Sequence, residues 1–184
     1  FRMVLSKSNI AKFFFIKIII YTMINEPGYR LNVGIIVIND NGKLLLCKRK
    51  KIDSWQFPQG GIDFGESPIK AAKRELYEEV GIKKKDVKLI SSTDKWFKYD
   101  VPHEKRKNHF LKKRFRGQKQ KWFMFKLIHD VKIHFENDPD NEFIDFQWVP
   151  YWYPLYAIVE FKREVYRLVL NELKDNFCTE MNND

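Results

Sequence analysis

The chain is poor in cysteine, and this scarcity bounds its chemical setting. Its 184 residues include only Cys47 and Cys178, which lie far apart and match no metal-ligand spacing. Two isolated thiols supply neither a disulfide framework nor a cysteine-rich metal site. We therefore expect a reducing, cytoplasmic environment for this protein.

A long uninterrupted hydrophobic run is also missing. The most apolar stretch, residues 10–21, is interrupted by Lys12 and Lys17 and is too short to span a bilayer comfortably. No small-residue cleavage site of the signal-peptide type follows it. We expect no integral membrane span and interpret residues 1–22 as an upstream extension or disordered leader, with Met23 as the true start. A weak membrane-associating segment is the alternative interpretation.

Acidic residues are in deficit, since 24 Asp and Glu stand against 34 Lys and Arg, a formal net charge of +10 at pH 7. Such a charge favours a polyanionic ligand through steering and phosphate contacts. A lysine-rich source proteome would also produce it. The most basic stretch, residues 103–121, is interpreted as a long loop whose lysines are mainly solvated. Lys119 and Lys121 are best placed to meet a ligand, because they adjoin the strand that starts at Trp122.

No internal repeat or low-complexity linker divides the rest of the chain, so we expect one domain over residues 23–184. Apolar runs rich in β-branched and aromatic residues predict strands, and a turn signal at residues 39–42 predicts a hairpin. The predicted strands are 33–38, 43–49, 87–92, 95–99, 122–128 and 143–149. A short helical turn is predicted over 154–159, and a terminal helix over 162–176 with Val165, Leu168, Val169 and Leu173 directed inward.

Residues 60–82 combine a glycine-rich loop with an acidic helix. Ser67 suits the N-cap position, and Pro68 suits the first helical position, where its missing N–H costs nothing. Gly81 suits the residue that ends a helix. These signals predict a helix over 68–80, whose apolar face comprises Ile69, Ala72, Leu76 and Val80.

Three carboxylates crowd one turn of this predicted helix. Glu75, Glu78 and Glu79 are spaced i, i+3 and i+4, so they share one face and repel one another. Arg74 is the only close compensating charge in the segment. Oxygen ligands in such a cluster suit a hard divalent cation, which points to Mg²⁺ or Mn²⁺. A solvated acidic face on an ordinary amphipathic helix would also explain the three glutamates taken alone.

The spacing of the whole stretch goes further than its composition. Gly60, five residues, Glu66, seven residues and then RELYEEVGI from Arg74 onward match the signature of the Nudix hydrolases, which this chain resembles. A solvated acidic helix does not explain Gly60, Glu66 and Arg74 at these offsets. The resemblance implies an α/β class, the Nudix fold, an α/β/α sandwich with a curved mixed sheet and a loop–helix–loop. It also implies a divalent-metal-dependent hydrolase of nucleoside diphosphates linked to another group.

Blocks outside this signature resemble the bacterial RNA pyrophosphohydrolases and their relatives, the dinucleoside polyphosphate hydrolases of bacteria and plants. The resemblance runs from about Gly28 to the terminal helix and leaves out residues 1–22 and the loop at 104–116. It implies conversion of the 5′-triphosphate or diphosphate end of RNA to a monophosphate, which triggers mRNA decay. The blocks are GYR at 28–30, NVG at 32–34, SWQFPQGG at 54–61, GQKQKWF at 117–123, YWYP at 151–154 and FKR at 161–163.

Two alternatives stay open. The same residues would serve a hydrolase of dinucleoside polyphosphates such as diadenosine tetraphosphate. A catalytically silent Nudix module that binds RNA or a nucleotide is the alternative outside the enzymes, and the intact Glu75, Glu78 and Glu79 count against it. The expected partner is therefore 5′-phosphorylated RNA or a dinucleoside polyphosphate, and the sequence identifies no protein partner.

Metal-binding and catalytic roles follow from this chemistry. A cation held by Glu75, Glu78 and Glu79 would neutralise phosphate oxygens and lower the pKa of water, and one of the glutamates would act as general base. By resemblance, Glu142 is the fourth carboxylate of the set. Its competitors on sequence alone are Glu136, Asp138 and Asp140.

The remaining expected residues contact substrate or support the signature. Gly60 and Gly61 allow close backbone approach to phosphate. By resemblance, Arg49, Phe161 and Lys162 match positions that hold bases or phosphates in the RNA-acting relatives, where cations and ring planes do this work. Arg74 is expected to orient Glu78, and Glu66 to hold the loop or support the metal site. Further candidates for phosphate or base contact are Arg30, Ser54, Gln118 and Lys121, and Gly81 is structural.

Overall fold

The computed structural model describes residues 26–106 and 115–183. Within these residues one mixed sheet of eight strands is flanked by helices. The predicted leader, Met23 and the basic residues 107–114 lie outside the described part. The strands are β1 (Tyr29–Ile38), β2 (Leu44–Arg49), β3 (Trp55–Gln56), β4 (Gln59–Gly61), β5 (Val87–Ser92), β6 (Phe97–Asp100), β7 (Gly117–Leu127) and β8 (Phe143–Val149). The helices are α1 (Pro68–Val80), α2 (Pro154–Ala157) and α3 (Glu160–Asn182), with a 3₁₀ turn at His103–Lys105.

Strand β1 is the centre of the sheet. It forms the predicted hairpin with β2, where Ile38 lies opposite Leu44, and it runs parallel to β7 along its full length. The main path of the sheet is β3-β2-β1-β7-β5, with β4 paired to β1, β6 to β7 and β8 to β2. This mixed order confirms the predicted α/β class.

Alternate residues of the central strands face opposite layers, as the period of two in a strand requires. Odd positions of β1 and β7 pack with Ala72, Leu76 and Val80 of α1. Even positions of β1 and β7 pack with Val165, Val169 and Leu173 of α3. The sheet is thus covered on both faces, which is the expected α/β/α sandwich.

Several predictions about element ends and faces were wrong. Strand β1 begins at Tyr29 instead of residue 33, and β6 spans Phe97–Asp100 instead of 95–99. Strand β7 begins at Gly117 instead of Trp122, because its first residues pair with the start of β1. Residues 103–121 are therefore only partly a loop. Helix α3 runs to Asn182, and Leu168 is 37% exposed instead of inward. The buried face of α3 includes Leu170, which the sequence analysis did not place inward, in addition to the predicted Val165, Val169 and Leu173.

The described residues contain no helix that is both long enough and apolar enough to cross a membrane.

Candidate active site

Helix α1 has the predicted bounds and the predicted ends. Ser67 occupies the N-cap position with extended backbone, although its side chain makes no capping hydrogen bond. Gly81 ends the helix at φ +76°, and its N–H donates to the Tyr77 carbonyl at 3.1 Å. A side chain at Gly81 would also lie 2.3 Å from the His134 ring, so both the backbone and the neighbour require glycine.

The guanidinium of Arg74 holds the acidic residues around it together. It donates to Glu75 at 2.8 Å and to Glu78 at 2.9 Å, and a further N–H reaches the Gly61 carbonyl at 2.8 Å. It also donates to both carboxylate oxygens of Glu66, at 3.2 and 2.9 Å. One cation therefore compensates three carboxylates and ties the glycine loop to the helix.

Glu66 connects Arg74 to the loop that precedes α1. Its carboxylate accepts the Asp63 N–H at 3.2 Å as well as the Arg74 contacts. The hydrogen bond from Arg74 is the main reason that the pKa of Glu66 lies below its usual range. Glu66 thus stays ionised and holds the turn that leads into α1.

Glu79 is the buried member of the glutamate cluster. It is 5% exposed, and its Oε2 accepts the Gln59 backbone N–H at 2.7 Å. Burial, reinforced by the negative charge of Glu75, raises the pKa of Glu79 well above its usual range. Burial likewise raises the pKa of Glu75, and Arg74 opposes that shift. Two carboxyl groups in this site are therefore poised to hold or exchange a proton.

Gly60 makes room for Glu75. A Cβ at Gly60 would lie 1.7 Å from the Glu75 carboxyl carbon, so any side chain there would displace the carboxylate. At Gly61 a Cβ would lie 2.1 Å from the Arg30 guanidinium. The two glycines admit one acidic and one basic side chain to adjacent points of the loop.

The chemistry of these donors fits a divalent cation. All are carboxylate oxygens, the ligands that hard cations prefer, and burial raises the pKa of Glu75 and of Glu79. Among the described residues, however, no three acidic, histidine or cysteine side chains stand in a ready-made cluster. Glu75 and Glu78 each direct an oxygen at Arg74 instead, so a cation would compete with that guanidinium.

A cavity of about 1130 Å³ brings most of the predicted site residues together. Lys121 is not among the residues that line it, and its ammonium donates to the Asp94 carbonyl at 3.1 Å. Its predicted contact with substrate stays a prediction. The lining includes Glu75, Glu78, Glu79 and Glu142, with Gly60, Gly61 and Arg74, and it also includes Arg30, Arg49, Ser54, Gln118, Phe161 and Lys162.

Glu142 is half-buried in the lining of this cavity, and its carboxylate lies 3.2 Å from the Arg49 guanidinium. Among its competitors, Asp138 accepts the N–H groups of Asp140 and Glu142 and so orders the loop. Glu136 is not part of the cavity lining. Of these acidic residues, Asp140 and Glu142 line the cavity and do not accept the backbone N–H groups that order the loop.

Lys162 is part of the cavity lining and is almost fully buried. It is 4% exposed, and its ammonium donates to the side-chain oxygens of Gln56 at 3.1 Å and Gln59 at 3.0 Å. The ammonium also lies 5.4 Å from the ring centre of Tyr99. Burial lowers the pKa of Lys162 to about 7.

Phe161 is half-buried, and its ring packs on Tyr99 with ring centres 5.8 Å apart. The Lys105 ammonium lies 5.3 Å from the same ring.

Sequence reasoning missed several residues that line the cavity. Gln59 adjoins Gly60 in the SWQFPQGG block, and this position was a usable signal. The missed residues include Gln56, Gln59, Tyr99, Lys105, Arg106 and Phe115.

Comparisons with known proteins agree with this geometry. A family model described as NUDIX domain matches residues 28–169. A relative from Baumannia cicadellinicola subsp. Homalodisca coagulata, named RNA pyrophosphohydrolase, is 46% identical over 155 residues, covering 82% of this chain and 94% of the relative. One from Vibrio cholerae with the same name is 49% identical over 159 residues, covering 82% of this chain and 87% of the relative.

Solved structures with a similar fold include a C. elegans Ap4A hydrolase binary complex and the E. coli dihydroneopterin triphosphate pyrophosphohydrolase. The first has a TM-score of 0.56 at 17% identity and covers 78% of this chain and 98% of that chain. The second has a TM-score of 0.58 at 21% identity, with the same coverage of both chains. At these identities the likeness shows the fold alone.

Proposed function

This chain belongs to the NUDIX family, and we propose that it is an RNA pyrophosphohydrolase that converts the 5′-triphosphate or diphosphate end of RNA to a monophosphate. That product triggers decay of the transcript. The relatives from two bacteria that carry this name support the proposal, since each aligns with 82% of the chain. The enzyme class, a Nudix pyrophosphohydrolase, follows from the family itself.

One observation carries the proposal: a single cavity is lined by carboxylates, by cations and by an aromatic ring. Glu75, Glu78 and Glu79 suit a metal-assisted attack on a phosphoanhydride. Arg49 and Phe161 lie in the same cavity and suit a nucleotide, because guanidinium and ring planes stack on bases. The +10 charge of the chain adds attraction for an RNA polyanion.

NUDIX hydrolases generally need divalent cations, and we propose Mg²⁺ or Mn²⁺ here because the donors are all oxygens. Glu75, Glu78, Glu79 and Glu142 would hold the ion. When bound, it supplies charge neutralisation on the phosphate oxygens and a lower pKa for water. One of these glutamates would act as the general base, and it must lie within hydrogen-bond reach of the attacking water.

The chain's other residues position these groups. Arg74 fixes Glu78 and Glu75 and ties them to Gly61, so the glycine loop and the helix move as one unit. Arg30 lies beside Gly61, where a cation meets the phosphates of a substrate that follows the loop. Gln118 lines the same side of the cavity as Arg30, two residues from Gln120 on β7.

We also place the reaction in the cytoplasm. Both cysteines are free thiols, Cys47 buried and Cys178 exposed, which suits a reducing compartment.

A direct comparison of substrates tests the proposal. The enzyme is incubated with Mg²⁺ and either 5′-triphosphorylated RNA or diadenosine tetraphosphate, and kcat/KM is compared. We expect the RNA to be preferred. A clear preference for the dinucleotide would establish a dinucleoside polyphosphate hydrolase instead. Binding of RNA without hydrolysis of either substrate would establish a silent module.

The variant Glu79→Gln tests the chemistry of the site. It should abolish turnover and leave the fold intact, because it removes a charge from a position that is already costly to ionise. Glu164→Gln is the matched control, since Glu164 is exposed on α3 and pairs with Arg167. Retained activity in Glu79→Gln would refute its metal role.

A further inference from the structure

Gln59 contacts residues on both faces of the sheet. Its backbone N–H donates to Glu79 of α1 at 2.7 Å, and its side-chain oxygen accepts from Lys162 of α3 at 3.0 Å. The two helices lie on opposite layers of the sandwich. Through this one residue of the short strand β4, Glu79 of α1 is joined to Lys162 of α3.

Gln120 holds the side chain of Gln59 from within the sheet. It is fully buried on β7, and its amide nitrogen lies 3.2 Å from the Gln59 side-chain oxygen. The same nitrogen lies 3.0 Å from the Asn32 oxygen and 3.3 Å from the Gln118 oxygen. Gln118 in turn accepts the Tyr99 hydroxyl at 2.6 Å.

The register of the strands creates this arrangement. Asn32 of β1 lies opposite Gln120 in the parallel pair, so the two side chains stand on one face. Gln59 of β4 lies opposite Gly34, whose missing side chain leaves its space to the Trp122 ring. The amides therefore meet beside the α3 layer, at the lining of the cavity.

A buried amide in such a place is strongly constrained. Losing the Gln120 donor would leave the oxygen of the buried Asn32 without this partner, which costs more than losing an exposed hydrogen bond. The donors available to Gln59 are the Gln120 amide and the Lys162 ammonium, and both are buried. The side chain of Gln59, and with it the backbone that donates to Glu79, is thereby fixed.

We propose that Gln120 and Gln59 are positioning residues for hydrolysis. Gln120 fixes the Gln59 side chain, and Gln59 in turn fixes the position of the Glu79 carboxylate and the adjacent Gly60. The kinetic part of this inference rests on the proposed function. Neither glutamine contributes a ligand or a proton, so the effect of each on the reaction is indirect and is transmitted through Glu79.

The test is a pair of variants and their combination. Gln120→Met keeps the length of the side chain and removes the donor, and Gln59→Met removes the acceptor. With triphosphorylated RNA, Gln120→Met should lower kcat on the order of 10- to 100-fold, with KM changed less than about 3-fold, as expected for a displaced catalytic group. The double variant should be no slower than Gln59→Met alone, because both changes break one coupling.

Gln147→Met is the matched control. Gln147 is also a strand glutamine with a buried side-chain nitrogen, and it does not line the cavity. It should change the melting temperature without changing kcat. Multiplicative losses in the double variant, or an unchanged kcat in Gln120→Met, would overturn the proposal.

A second measurement is independent of activity. Hydrogen exchange at the Gln59 backbone N–H should be slow in the wild type and at least about 10-fold faster in Gln120→Met, since a freed Gln59 side chain would no longer hold this N–H against Glu79. Should Gln120→Met fail to fold, Gln59→Met, at a half-buried position, is measured in the same way. Unchanged exchange at Gln59 would refute the positioning role. Failure of the wild type to hydrolyse RNA would refute only the proposed function.

Discussion

The Arg49 guanidinium lies 3.2 Å from the Glu142 carboxylate, so a residue expected to bind RNA and one expected to bind metal are paired with each other. The contact follows from the sheet, because Arg49 lies opposite Phe143, the residue after Glu142. The Lys50 N–H also donates to the Glu142 carbonyl at 2.7 Å. Substrate and cation must each compete with this partly buried ion pair.

Glu142→Gln should therefore separate the two roles. Loss of the carboxylate should lower kcat on the order of 10-fold or more, because a cation loses one of its ligands. KM for triphosphorylated RNA should stay unchanged or fall, because Arg49 loses the anion that competes with phosphate. Steady-state kinetics over a range of Mg²⁺ concentrations measures both.

Asp140→Asn is the control for this charge change. Asp140 lines the same cavity but is exposed, and Arg49 is not paired with it. It should leave kcat within about 2-fold, since surface charges act weakly. A raised KM with unchanged kcat in Glu142→Gln would show that the carboxylate supports Arg49 instead of a metal.

Gly60→Ala should damage activity more than stability. The new methyl group would overlap the Glu75 carboxyl, which can swing away because it is the end of a flexible side chain. We expect kcat to fall on the order of 100-fold, as for other displaced catalytic groups. The melting temperature should change by only a few degrees. Kinetics and thermal unfolding on the same preparation check both.

Gly65→Ala should show the opposite pattern. Gly65 has φ +80° and open space around its Cα, so alanine meets backbone strain and no clash. We expect a loss of about 1 kcal/mol in the free energy of unfolding and nearly normal kcat. Equal activity losses in both variants would show that loop strain, and not displacement of Glu75, limits the reaction.

Tyr166→Phe should destabilise the fold through one lost hydrogen bond. The buried Tyr166 hydroxyl accepts the Phe57 N–H at 3.1 Å, and phenylalanine would leave that N–H unsatisfied. We expect the free energy of unfolding to fall by about 1–3 kcal/mol, measured by chemical denaturation. Tyr156→Phe, on an 83% exposed side chain, should change it by less than about 0.5 kcal/mol.

Local patterns account for the parts of this molecule that sequence reasoning predicted well. The bounds of α1 follow from Pro68 and Gly81, which act within one turn of the chain. The crowding of three glutamates follows from helical spacing alone. Leu168 was wrongly predicted to point inward. Its apolar neighbours along α3 allow more than one inward face, and packing on the sheet decides which face is buried.

Contacts between distant strands explain what could not be predicted. The pairing of Arg49 with Glu142 and the burial of Gln120 depend on which residues of separate strands lie side by side. That register is set by the whole sheet and is not encoded within either segment. Lys162 illustrates the same limit: a lysine in FKR suggests a surface cation, whereas the fold buries it beneath two glutamines.

The burial of Lys162 predicts a pH-dependent stability. Its pKa falls from an ordinary 10.5 to about 7 in the folded protein, mainly by burial. Between these values the unfolded chain binds more protons, so this group makes unfolding harder as pH rises, by up to about 1.4 kcal/mol per pH unit. The stabilisation is lost progressively as pH falls from 10.5 towards 7, and below 7 this group adds no further pH dependence. Lys162→Met removes the titration, so its unfolding free energy relative to wild type should be higher at pH 7 than at pH 9. Lys174→Met, on an exposed residue of the same helix, should follow the wild type at both pH values.

Chemical denaturation at pH 7, 8 and 9 measures how the unfolding free energy of each variant changes with pH. Parallel dependences for Lys162→Met and wild type would show that the Lys162 ammonium stays charged in the fold.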